Sequence, residues 1–169
     1  LVHRVPAAGG APAVVGTNLG TYDTLTDVAV TTNAIFVLDR GDSDVFRLTT
    51  NGNSQALTIT PDLTGTPVAI EWDRTNNTLL VALNGAGAND TIVRLAQTNG
   101  DNYSSTTIAT GLNFGANATQ VLDLSTDGTI LVVAQNDSVR AYARCGLASA
   151  TDCNNNDLAD VCDVVQGNA

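Results

Sequence analysis

The chain has 169 residues, seven of them basic and seventeen acidic, which gives a formal net charge of −10. Every base is arginine, lysine and methionine are absent, and Glu71 is the one acid that is not aspartate. A hydrophobic content of 43% excludes a disordered chain. The missing basic cluster excludes nucleic-acid binding, which needs grouped cations to neutralise phosphates.

No apolar run approaches the ~18 residues of a membrane-crossing helix, so no membrane span is expected. The first residues lack the charged, apolar and small-residue succession of a signal peptide. With Leu1 in first place, the chain reads as a processed or truncated product.

Short apolar runs, rich in β-branched residues and bounded by Asn, Asp, Gly or Thr, predict β-strands along the first 145 residues. Residues 1–17 hold Val2-His3-Arg4-Val5 and a Gly9-Gly10 turn, enough for two strands. Residues 24–60 predict four. Asp27-Val28-Ala29-Val30 is followed by a Thr-Thr-Asn turn, Ala34-Ile35-Phe36-Val37-Leu38, Val45-Phe46-Arg47-Leu48 and an Asn51-Gly52 turn. Residues 66–112 predict four more, through Pro67-Val68-Ala69-Ile70, Leu79-Leu80-Val81-Ala82-Leu83, Ile92-Val93-Arg94-Leu95 and an Asn99-Gly100 turn. Asn-Gly pairs suit the two positive-φ centres of a type I′ hairpin. Residues 118–145 predict three, from Val121-Leu122-Asp123-Leu124, Ile130-Leu131-Val132-Val133 and Val139-Arg140-Ala141-Tyr142.

Arg4, Arg47, Arg94 and Arg140 mark the repeat, 43 to 47 residues apart. Four strands in that length is the period of a propeller blade. Residues 27–48 resemble an NHL-type β-propeller repeat: an apolar strand, a small turn, a second strand ending in Asp39, and a Val-x-Arg third strand. The resemblance covers residues 1–145 and implies an all-β fold of four-stranded antiparallel blades, about three and a quarter of them. Closed propellers have about four to eight blades. The expectation is therefore a partial propeller, completed by the rest of a longer chain, by other copies in a ring, or by copies stacked end to end. An irregular β-sandwich is the competing architecture.

Composition changes after Cys145, so residues 146–169 form a second unit. From Asp152, oxygen-bearing side chains fall at loop positions one (Asp152), three (Asn154), five (Asn156), nine (Asp160) and twelve (Asp163), with Leu158 offering a backbone carbonyl at seven. This is the ligand spacing of an EF-hand loop for Ca²⁺, a hard ion that takes six to eight oxygens. With Asp at position twelve and Cys153 and Cys162 inside it, the loop resembles a single cysteine-containing dockerin-type repeat. Asp157 stands where that family usually has glycine, and there is no second loop. The competing reading is an Asn/Asp-rich tail that merely turns.

Three cysteines, at 145, 153 and 162, permit three single pairings, and a disulfide suits an extracellular module. Asn-x-Ser/Thr triplets at Asn76, Asn89, Asn102, Asn117 and Asn136 are candidate N-glycan sites on predicted turns. The only histidine, His3, alternates with Arg4 on a predicted outer strand, which leaves Ser-His-Asp and Cys-His chemistry without a base. Glu71 and Asp123 are the candidates for a channel metal, as in a lactonase-like propeller hydrolase. Val68, Ile70 and Trp72 are expected on one face of their strand and Ala69, Glu71 and Asp73 on the other, with Trp72 a packing residue.

The combined expectation is an extracellular or cell-surface, non-catalytic structural or binding protein, stabilised by calcium and associated with other copies of itself or the rest of a longer chain. A hydrolase fragment and a protein- or carbohydrate-recognition module are the alternatives.

Overall fold

The computed structural model describes residues 2–15, 24–50, 57–59, 63–85, 89–115, 121–125, 130–136 and 138–143. These form thirteen strands and no helix. A first sheet pairs β1 (His3–Arg4) with β2 (Ala13–Val14). A second holds β3 (Leu25–Val30), β4 (Ala34–Asp39), β5 (Asp44–Thr49) and β6 (Leu57–Thr58). A third holds β7 (Thr66–Asp73), β8 (Thr78–Asn84), β9 (Asp90–Asn99) and β10 (Asn102–Leu112). A fourth holds β11 (Leu122–Leu124), β12 (Ile130–Ala134) and β13 (Val139–Ala143). Every pairing is antiparallel and joins strands adjacent in sequence.

The sheets pack face to face in chain order. Val15 of the first lies against Ile35, Val37, Phe46 and Leu48 of the second. Phe36, Leu38 and Val45, on the other face of the second, meet Ile70, Leu79 and Val81 of the third. Leu80, Ala82 and Ile92, on the far face of the third, meet Leu122 and Val133 of the fourth. The middle strands are thus covered on both faces, and all six residues of β4 are buried. A strand covered on both faces reads as a continuous apolar run. That is the physical reason for Ala34-Ile35-Phe36-Val37-Leu38 and Leu79-Leu80-Val81-Ala82-Leu83.

The register repeats with the fold. Arg47 pairs with Phe36, and Arg94 with Leu80. Arg4, Arg47 and Arg94 pair on their other side with Ala13, Leu57 and Thr106. The two strands of the first sheet therefore correspond to the third and fourth strands of the next two. A bulge recurs as well. The register shifts between Leu25 and Asp27 on β3 and between Pro67 and Ala69 on β7.

Arg140 departs from the repeat. Leu131 and Val133 pack on the third sheet as Leu79 and Val81 pack on the second. Val132 is therefore the counterpart of Phe36 and Leu80, and its partner on β13 is Ala141. Arg140 sits one residue early, opposite Val133. Because side chains alternate along a strand, that slip moves its side chain to the opposite face.

Arg4 and Arg47, two of the repeat arginines that keep register, reach across to the next sheet. Arg4 Nη1 donates to the carbonyl of Thr50, just after β5, at 3.5 Å. Arg47 Nη1 lies 2.6 Å from Asp101 Oδ1, just after β9. The Arg47 and Asp101 side chains are 30% and 59% exposed, so the pair lies largely in water. Arg47→Ala is expected to cost at most about 1 kcal/mol in urea denaturation, with the difference shrinking in high salt.

One turn differs from its expected form. Asn99 is the last residue of β9 and pairs with Asn102, so the hairpin centres are Gly100 and Asp101. Of these two, Gly100 alone has positive φ, at 56°. That is the pattern of a type II′ turn, with glycine first, and not of the type I′ turn centred on Asn-Gly.

Candidate functional site

The first strands of the second, third and fourth sheets each bring a carboxyl to the stack: Asp27, Glu71 and Asp123. Asp27 on β3 accepts from the N–H of Ile70 on β7 at 3.0 Å, tying the second sheet to the third. Glu71 on β7 is within electrostatic reach of Asp27 and of Asp123 on β11, and its Oε1 accepts from the N–H of Trp72 at 3.1 Å. Burial pushes the Glu71 pKa above the ordinary carboxyl range; the Trp72 N–H opposes this, and the charges of Asp123 and Asp27 add to the rise.

The sign of the consequence follows from linkage. A carboxyl whose pKa is raised on folding adds stability when protonated, in acid, and loses that contribution as pH climbs through the raised value. Glu71→Gln, which keeps the shape without the charge, is expected to melt at or above the parent temperature at neutral pH. The gap should close below the ordinary carboxyl range. A neutral-pH loss in thermal denaturation would mean that the charged form is held by a cation or another partner.

The face assignment along β7 needs a correction. Ile70 packs toward the second sheet, but Val68 packs with Ala69 toward the fourth. The bulge between Pro67 and Ala69 adds a residue, which breaks the alternation expected for Val68, Ile70 and Trp72. Trp72 stacks on Phe36 with ring centroids 6.0 Å apart, and Tyr103 meets Phe36 edge-on at 6.3 Å. His3 is exposed on β1.

Aspartates at strand ends carry structural duties that the sequence did not single out. Asp73 Oδ1 accepts from the N–H groups of Thr75 and Asn76, closing the β7–β8 turn, where Asn77 has φ 55°. Asp90 Oδ1 accepts from Gly85 N–H at 2.8 Å, and its Oδ2 accepts from Phe114 N–H. Asp39 Oδ1 accepts from Gly41 N–H, while its Oδ2 and the Oγ1 of Thr26, the bulge residue beside it, are buried without a partner. For Asp39 and Asp73 the available signal was an aspartate at the end of an apolar run, whereas Asp90 opens its strand.

An open groove of about 490 Å³ lies between the β7–β8 turn and the β9–β10 hairpin. Asn76, Asn77, Thr78, Gln97, Thr98 and Asn99 line it with uncharged amides and hydroxyls. No aromatic ring lines it, so a sugar would find hydrogen bonds there but no stacking platform.

Asn76, Asn89, Asn102 and Asn136 are exposed, and Asn117 lies outside the described residues. So do the expected calcium ligands Asp152, Asn154, Asn156, Leu158, Asp160 and Asp163, and the cysteines at 145, 153 and 162. Among the described residues, no group of three or more His, Cys, Asp and Glu side chains is placed to hold a metal ion. No helix among them is long and apolar enough to cross a membrane.

No family model and no curated protein matches the chain.

Proposed function

We propose that this chain is an extracellular, non-catalytic structural or binding protein built from propeller-type blades, with a calcium loop at residues 152–163, and that it works as part of a larger assembly. The observation that carries the reading is the recurring register of sheets stacked face to face, with apolar strand residues left in solvent on β3 and on the fourth sheet. Val28 and Val30 are 48% and 55% exposed, and Ile130 and Val139 are 43% and 71% exposed. Partial rings of this kind bury such faces by acquiring a neighbour. Electron microscopy of the purified protein tests it, with rings, sheets or filaments expected and dispersed single particles counting against it.

The calcium part stands on the oxygen spacing from Asp152 to Asp163. Calcium is expected to raise the melting temperature, and Asp152→Ala with Asp163→Ala to abolish the rise. An unchanged parent melting curve on calcium addition would remove this part while leaving the assembly reading in place.

The rival is a fragment of a metal-dependent propeller hydrolase, for which Glu71 and Asp123, within electrostatic reach of each other, are the candidate ligands. A divalent ion that protects Glu71 and Asp123, and not the 152–163 loop, from carboxyl-modifying reagents would support that rival.

A further inference from the structure

We infer that two copies of this chain meet head to tail. The far face of the fourth sheet of one copy packs on β3 of the other, over Val28 and Val30. The inference rests on the assembly reading and names its contact surfaces.

The register identifies both halves of the contact. Val28 pairs with Val37 as Ile70 pairs with Val81, and Val30 pairs with Ile35 as Trp72 pairs with Leu79. In the third sheet, Ile70 is covered by the second sheet and is 2% exposed. Val28 and Val30 hold the same places on the second sheet and are about half exposed. The cause lies in the first sheet, whose described strands correspond only to the third and fourth of a full set. They cover Ile35, Val37, Phe46 and Leu48 and reach Leu25 at the start of β3, but leave Val28 and Val30 in solvent.

The other half lies at the opposite end of the stack. Phe36 and Leu80 point toward the following sheet and are each 3% exposed. Their counterpart Val132 points the same way from the fourth sheet, with Ile130 on the same strand face and Val139 opposite Ala134. Ile130 and Val139 are uncovered. The one-residue slip on β13 puts Ala141 in the place held by Arg47 and Arg94 in the inner sheets. Asp123 is therefore the one charged group among the described strand residues of this face, at the place Glu71 holds on the far face of β7. Internal interfaces of this stack already join a face like that of the fourth sheet to a face like that of β3. Among the described residues one copy of each face is unsatisfied, so a second chain continues a contact the fold makes within itself. Such a contact has no two-fold axis and yields a ring if it closes or a filament if it does not.

Sedimentation velocity on the 169-residue chain tests this. One variant carries Val28→Asp with Val30→Asp, and the other Ile130→Asp with Val139→Asp. All four positions are exposed in the single chain, and thermal melts check that both variants fold. The parent is expected to sediment as a species larger than one chain, and each variant alone as a monomer, its self-association weakened at least tenfold. An equimolar mixture of the two variants should give a 1:1 dimer, because each retains the face the other lacks. Hydrogen exchange on the parent should show β3 and β12 slowed upon assembly. An assembled parent whose size neither variant changes would overturn this contact and leave the assembly reading standing. A monomeric parent with fast exchange at β3 would overturn both and assign the face to another occupant.

Discussion

Phe36→Ala is expected to destabilise the fold by about 3–5 kcal/mol, the range for emptying a buried aromatic site. Phe36 is 3% exposed and lies between the second and third sheets, where it stacks on Trp72 and meets Tyr103 edge-on. Truncation opens a cavity at a sheet interface lined by half-buried aromatics, which have little freedom to close it because each is anchored on its own strand. For a chain of this length the loss corresponds to a melting temperature lower by roughly 10 °C. Urea denaturation should show the midpoint fall with little change in slope if the sheets still unfold together. Two separated transitions would show instead that the second and third sheets are independent units once this contact is weakened. Arg47→Ala, at the solvent edge of the same interface, is the matched control with a small expected effect.

Asp90→Ala is expected to cost about 2–4 kcal/mol, because it strands two backbone donors in the interior. Asp90 is 1% exposed, and its two oxygens accept from Gly85 and from Phe114, whose side chain is itself buried. The bond to Phe114 fixes the segment that leads from the third sheet to the fourth. That segment is also held by Asn84 Nδ2 on the Gly115 carbonyl at 2.8 Å and by Asn136 N–H on the Asn113 carbonyl at 2.8 Å. Asp90→Asn should recover part of the loss, since an amide offers one acceptor oxygen where the carboxyl offers two. Hydrogen exchange gives the clearest readout. The Phe114 amide should lose protection in the alanine variant before the β8 amides do. Equal protection in parent and variant would show that Phe114 N–H has another acceptor.

How much of this was legible in the sequence differs from element to element. The strands and their division into sheets of two, four, four and three followed from apolar runs between turn residues, because each run is long enough for one strand and each boundary carries a residue that tolerates a turn. The third-strand places of Arg47 and Arg94 followed from their settings, Val45-Phe46-Arg47 and Ile92-Val93-Arg94. Arg140 misled because it was matched by residue type. Its own setting, Val139-Arg140, is one residue short, and position 141 keeps the 47-residue interval from Arg94 that Arg94 keeps from Arg47. The alternation on β7 failed at Val68 because a bulge adds a residue without leaving a mark in composition. The Asn99-Gly100 turn slipped by one because hydrogen-bond pairing, not the dipeptide, fixes which residues sit at the centre.

Among the candidate site residues, Glu71 stood out as the one glutamate in the chain, and Trp72 as the one tryptophan. That Glu71 lies within electrostatic reach of Asp27 and Asp123 is a product of stacking three sheets, and no spacing along the chain encodes it. Asp90 was indistinguishable in sequence from the other aspartates until its burial was known.

The sequence by itself determined that the chain is β-rich, which apolar runs form strands, and that a unit of 43 to 47 residues recurs, because turn propensity and apolar run length are local properties. Only the tertiary structure decided which face of each strand is covered, which carboxyls are buried, and that Val28, Val30, Ile130 and Val139 are left in solvent at the two ends. Those depend on what a neighbouring sheet places opposite each residue, and a one-residue shift in pairing, too small to alter the pattern along the chain, exchanges one face for the other.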